Sequence, residues 1–114
     1  MERILISTKK LLGIDEEYDH FDPDIIMHIN SAFSTLNQLG VGPETCFRIE
    51  DEDSVWEEFI ADNTDIEMVK TYVAAKVRLA FDPPDRTVVM EALKSTIEEL
   101  EFRLNVAAES KRTS

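Results

Sequence analysis

The most constraining feature of the sequence is a set of apolar stripes at helical spacing, each bounded by residues that start or stop helices. The clearest stripe has steps of four, three, four and three residues and consists of Ile25, Ile29, Ala32, Leu36 and Leu39. Such steps place all five side chains on one face of an α-helix. Asp22 is the expected N-cap, Pro23 fits the first turn, and Gly40 follows the last apolar residue. The pattern predicts a helix over residues 23–39.

Four further helices are predicted in the same way, two long and two short. They cover residues 65–81, 86–106, 3–12 and 54–61. Pro83 and Pro84 separate the two long ones, because proline removes a backbone donor and disfavours helix in the residue before it. Ser54 and Glu57 have the spacing of a capping box at the start of the second short helix. The prediction is a mainly α fold, a small helical bundle with one extended loop or arm.

One domain is expected. The chain has 114 residues, a usual length for a single domain. We expect a helical domain over residues 1–105 and a polar, flexible C-terminal tail over residues 106–114. No apolar run approaches the ~20 residues that cross a bilayer, and the N-terminus lacks the features of a signal peptide. With Cys46 as the single cysteine, an internal disulfide is excluded and a cytosolic setting is the simple interpretation.

The charge is strongly negative and unevenly distributed. The formal net charge is −12, with 24 acidic and 12 basic residues. Residues 1–67 hold 17 acidic and 4 basic residues, whereas residues 68–114 hold 7 acidic and 8 basic residues. A body this acidic is unsuited to binding nucleic acid through its phosphates or to binding anionic membranes.

No catalytic or metal-binding pattern stands out in the sequence. His28 lies four residues after Asp24, a spacing that a surface helix pair explains better than a metal site. The acidic run 50–53 lacks the glycine of a calcium-binding loop. Cys46 has no base near it in sequence, so an inert thiol is favoured over a nucleophile. We therefore predict no enzymatic activity, no metal and no cofactor.

Aromatic residues are expected mainly in the core, with one segment set apart. The expected core aromatics are Trp56, Phe59, Tyr72, Phe81 and Phe102. Phe47 and Ile49 lie instead in residues 45–49, where alternating apolar residues fit a short strand or an extended arm. This apolar pair either folds back onto the domain or contacts another subunit.

Three segments together resemble tailed-phage head–tail connector (adaptor) proteins. The first combines Leu11-Leu12-Gly13-Ile14-Asp15 with residues 22–30, which read Asp-Pro-Asp-Ile-Ile-Met-His-Ile-Asn. The others are residues 69–84, from Val-Lys-Thr-Tyr to Phe-Asp-Pro-Pro, and residues 97–105, Ile-Glu-Glu-Leu-Glu-Phe-Arg-Leu-Asn. The resemblance covers residues 4–105, but the acidic loop before Trp56 is longer than the family pattern.

The resemblance implies a structural role in the virion, at the interface of head and tail, for a protein made in the bacterial host cytoplasm. Such proteins form a ring, of about twelve subunits, beneath the portal protein. The ring extends the DNA channel and receives a stopper or tail-completion protein. No enzyme activity and no cofactor are implied. DNA would pass an acidic channel wall without specific binding, because like charges repel.

Assembly would order the segments that a free subunit leaves exposed. Candidate contacts with subunits or partners are Phe47, Ile49, Lys111 and Arg112, of which the last two could meet an acidic neighbour. The alternative is an acidic DNA mimic, or another small helical interaction module, that binds a basic partner. A small enzyme and a subunit of another bacterial complex are weaker alternatives.

Overall fold

The computed structural model describes residues 2–60 and 65–113, with side chains up to Ser110. These residues contain five helices and no strand, which confirms the mainly α prediction. The helices are α1 (Ile4–Leu12), α2 (Asp22–Gln38), α3 (Trp56–Phe59), α4 (Ile66–Phe81) and α5 (Thr87–Thr113).

Helix α4 is the central element of the fold. It packs against α1, α2 and α5. Val69, Tyr72, Val73 and Val77 on it are completely buried. A helix that is apolar over most of its circumference needs neighbours on several sides, so α4 supplies the common core on which the other long helices lie.

The loop between α1 and α2 is held by a buried lysine. The side chain of Lys9 is 0% exposed, and its Nζ donates hydrogen bonds to the carbonyl oxygens of Glu16, at 3.0 Å, and Tyr18, at 2.7 Å. The same Nζ lies 2.9 Å from Oδ1 of Asp22. Asp22 was predicted to cap α2, but it is the first helical residue and pairs with Lys9 instead. Lys9 thereby connects α1, the acidic loop and the start of α2.

Backbone pairing joins the N-terminal segment to the start of α3. Arg3 and Val55 form an isolated antiparallel bridge, and the indole Nε1 of Trp56 donates to Oγ of Ser7 at 2.7 Å. The predicted capping box is wrong by one residue. The N–H of Val55 donates to the carboxylate of Glu58 at 2.8 Å, because pairing with Arg3 fixes Val55 in an extended conformation before the helix.

Helix α5 is longer than predicted. The sequence predicts its end near residue 106, whereas the helix has 27 residues and runs to Thr113. Residues 106–113 contain no Gly or Pro, and Ala, Glu, Lys and Arg are good helix formers, so polarity alone was a poor reason to end the helix. Ala108 is 9% exposed and belongs to the core cluster. The helix is therefore about 40 Å long, and the flexibility of the tail stays a prediction.

Candidate interaction surfaces

Phe47 and Ile49 fold back onto the domain. Phe47 makes edge-on ring contacts with Phe33, at 5.3 Å between centroids, and Phe59, at 5.6 Å. The backbone N–H of Ile49 donates to Oδ1 of Asn30 at 2.8 Å, and Nδ2 of Asn30 donates back to the Ile49 carbonyl at 2.9 Å. The segment is the extended loop of the predicted fold, packed on the domain, and not a strand or a projecting arm. Its contact with a neighbouring subunit stays a prediction.

The other two predicted contact residues lie at the C-terminal end of α5. The backbone of Lys111 and Arg112 is helical, but their side chains lie outside the described residues. Their role as partner contacts therefore stays a prediction.

A second stripe on α5 points away from the core. Ile97, Leu100 and Leu104 pack inward. The opposite face carries residues that recur at steps of four, three, four, three and four. This α5 stripe consists of Val88, Ala92, Ser95, Glu99, Phe102 and Val106. Val88 is 77% exposed and Phe102 is 70% exposed, so the prediction that Phe102 belongs to the core is wrong: its position on the helix faces solvent.

A groove runs along the outer face of α2, the face that points away from α4. Its volume is about 570 Å³. This α2 groove is lined mainly by Pro23, Met27, Ser31, Ser34, Arg48, Ile49 and Glu50. Met27 is 58% exposed. The wall formed by residues 48–50 is held in place by the two hydrogen bonds between Asn30 and Ile49.

The family model for phage connector protein matches residues 4–111, nearly the whole chain. The chain belongs to the phage connector protein family. Its role is thus that of a phage connector, a virion component whose family interacts with the portal and other virion proteins. No curated protein and no solved structure matched the chain.

The structure locates the other candidate sites that the sequence offers in this connector. Over residues 2–60 and 65–113, no three His, Cys, Asp or Glu side chains gather as they would around a metal ion. Cys46 is exposed, and His28 lies against the ring of Phe81 at 6.4 Å. No described helix is long and apolar enough to cross a membrane. The connector family is structural.

A partly buried hydrogen bond fixes α5 to α4 in the connector. The hydroxyl of Tyr72, a completely buried residue, donates to Oε2 of Glu101 at 2.7 Å. Burial, and then the hydrogen bond to Glu101, raises the pKa of Tyr72 above its ordinary value. The neutral phenol is therefore the form that holds the two helices together.

This bond predicts alkaline sensitivity. Because the pKa of Tyr72 is raised in the folded state, the contribution of this residue to the free energy of unfolding is complete below about pH 10 and is lost as the pH rises further. We expect the free energy of unfolding of the wild type to fall by about 1 kcal/mol more per pH unit above pH 10 than that of Tyr72→Phe. Chemical denaturation between about pH 8 and 11.5 measures this. Parallel pH profiles would contradict the buried, neutral assignment.

Proposed function

We propose that the protein is a head–tail connector (adaptor) that assembles as a ring, of about twelve subunits, beneath the portal. The ring extends the DNA channel and docks a stopper or tail-completion protein. The observation that carries the proposal is the match to the phage connector family over residues 4–111.

The two surfaces of the subunit support ring assembly. A closed ring needs a head-to-tail contact, in which one patch of a subunit meets a different patch of its neighbour. The α5 stripe and the α2 groove share no residue, and both point away from α4. They offer a single subunit two unlike surfaces, as such a contact requires.

The acidic loops support passage of DNA without binding. The loop between α1 and α2 exposes Asp15, Glu16, Glu17 and Asp19, and the loop before α3 exposes residues 51–53. If these loops face the channel, they repel phosphates and keep the DNA mobile. Lys111 and Arg112, in turn, would contact an acidic neighbour when the ring forms.

The decisive experiment is a mass measurement with and without the portal. We expect native mass spectrometry of the purified protein, mixed with the portal protein encoded in the same genome, to give a portal complex that carries one full ring. The protein alone and the portal alone, measured under the same conditions, are the controls.

Absence of any complex with the portal would refute the proposed function. A monomer or dimer that ignores the portal and competes with DNA for a basic protein would support the acidic DNA mimic instead. A fluorescence-anisotropy competition with a labelled DNA duplex distinguishes these results.

A further inference from the structure

We propose that neighbouring copies of this chain contact each other through the α5 stripe of one copy and the α2 groove of the next. This inference rests on the ring assembly proposed above and names the surfaces that would form the ring. It requires no partner other than a second copy of the chain.

The α5 stripe has the pattern of a helix surface that packs on another protein element. Its steps of four and three residues keep Val88, Phe102 and Val106 on one line along the helix. Helix α5 already buries its opposite face against α4. A surface helix of an isolated domain needs one apolar face only, so the exposed second face indicates a contact that a single copy does not make.

The α2 groove has an exposed apolar side chain and a fixed wall. Met27, which lines the groove, is 58% exposed. Both backbone polar groups of Ile49 bond to Asn30, which fixes the position of the segment. The Ile49 side chain is buried, whereas Arg48 and Glu50 on either side of it are exposed. The wall therefore presents one positive and one negative side chain in a fixed order.

The charges of the two surfaces complement each other. Glu99 in the α5 stripe and Arg103 beside it are one turn apart, about 6 Å along the helix. Arg48 and Glu50 are two residues apart, about 7 Å along an extended chain. The spacing allows Glu99 to meet Arg48 while Arg103 meets Glu50.

These charges are also available for such a contact. Arg48 is the only arginine or lysine between Lys10 and Lys70. Within the described part of the chain, no ion pair involves Arg48, Glu50, Glu99 or Arg103. Complementary charges set the register and the choice of partner at protein interfaces. Since each copy carries both halves, a second copy is the occupant that the chain itself specifies.

A charge-swap experiment tests the inference. Glu99→Arg and Arg48→Glu, each alone, place like charges in contact and are expected to lower the yield of portal-bound rings about tenfold. The double variant restores opposite charges at every interface, so its yield should return close to that of the wild type. Glu98→Arg makes the same charge change at the next position of α5, off the stripe, and should leave the yield unchanged.

A crosslinking experiment provides a second readout that does not depend on the strength of the contact. In a Cys46→Ser background with Arg48→Cys and Glu99→Cys in the same chain, a short bismaleimide should join the subunits on the portal into a ladder of covalent oligomers, because residues whose charged ends meet lie too far apart for a direct disulfide. Either cysteine alone should give dimers at most. Circular dichroism spectra of all variants should match the wild type, because the changed side chains are exposed.

The results separate this inference from the proposed function. The inference would be overturned, with the connector role intact, if both single charge variants form rings normally and the two cysteines give no ladder of crosslinked oligomers. If Glu99→Arg no longer binds the portal and the double variant does not restore binding, the α5 stripe contacts the portal rather than a second copy. That result would also overturn the inference. Failure of the wild type to bind the portal would refute the proposed function itself.

Discussion

Replacement of Lys9 by Met is expected to lower the free energy of unfolding by about 3–5 kcal/mol. The ammonium group is completely buried and serves two carbonyl oxygens and the carboxylate of Asp22. Methionine matches the apolar part of the lysine side chain, up to Cε, but supplies no donor. The variant therefore leaves a largely buried carboxylate and two carbonyls without their partner, and the cost of such orphaned groups exceeds the gain from a more apolar side chain.

The matched control is Lys10→Met, the same substitution at the next residue. Lys10 is exposed and makes no ion pair within the described residues, so we expect a change within about 0.5 kcal/mol. Urea denaturation followed by circular dichroism compares the two variants. Equal effects would contradict the burial of Lys9.

A double variant tests the cause of the loss. Asp22→Asn removes the charge that Lys9 neutralises, so the two substitutions together should cost less than the sum of each alone. Additive losses would instead attribute the effect to the carbonyls of Glu16 and Tyr18. In either case the acidic loop would lose its anchor, and the start of α2, with Pro23 in the groove, would become less well fixed.

The helices were predictable because strong local signals bound them. Four of the five begin and end within two residues of the prediction wherever the structure describes the end. Asp22-Pro23, Gly13 and Pro83-Pro84 act through backbone geometry, which does not depend on the rest of the fold. The end of α5 carries no such signal, and the prediction was wrong there.

Burial of Lys9 could not be predicted, because its partners come from a loop. Lysine is rarely buried unless it is paired. Nothing local indicates that the carbonyls of Glu16 and Tyr18 turn back towards α1. Such a contact depends on tertiary structure, which spacing in one helix does not report.

Of the two candidate interaction surfaces, one can be recognised in the sequence and the other depends on a tertiary contact. The α5 stripe is visible in the sequence as a second set of four- and three-residue steps, but a helix on the surface of a domain is expected to have a single apolar face. The sequence therefore predicts Phe102 in the core. The α2 groove needs Asn30 to bond to Ile49, nineteen residues later, and an asparagine within a helix gives no sign of that partner.

Substitution of Gly42 by Ala is expected to lower the free energy of unfolding by about 2–4 kcal/mol. Gly42 has a φ of +90°, and an added Cβ would lie 2.5 Å from Cε1 of Phe59. The ring cannot move aside easily, because Phe33, with its centroid at 4.7 Å, and Phe47, at 5.6 Å, pack against it. The added methyl group therefore brings both backbone strain and overpacking.

Gly13→Ala separates these two costs, because it changes the same residue type at a similar φ of +78° with nothing within 4 Å of the added Cβ. We expect Gly13→Ala to lower the free energy of unfolding by about 1–2 kcal/mol, the cost of the backbone strain alone. The difference between the two variants in urea denaturation therefore measures the steric cost of the contact with Phe59. Equal losses would show that the Phe59 ring yields freely. If the Phe59 side chain keeps its position, the strain should spread to Phe47 and displace Arg48 beside it. Gly42→Ala should then also reduce assembly of the subunit ring on the portal, whereas Gly13→Ala should not.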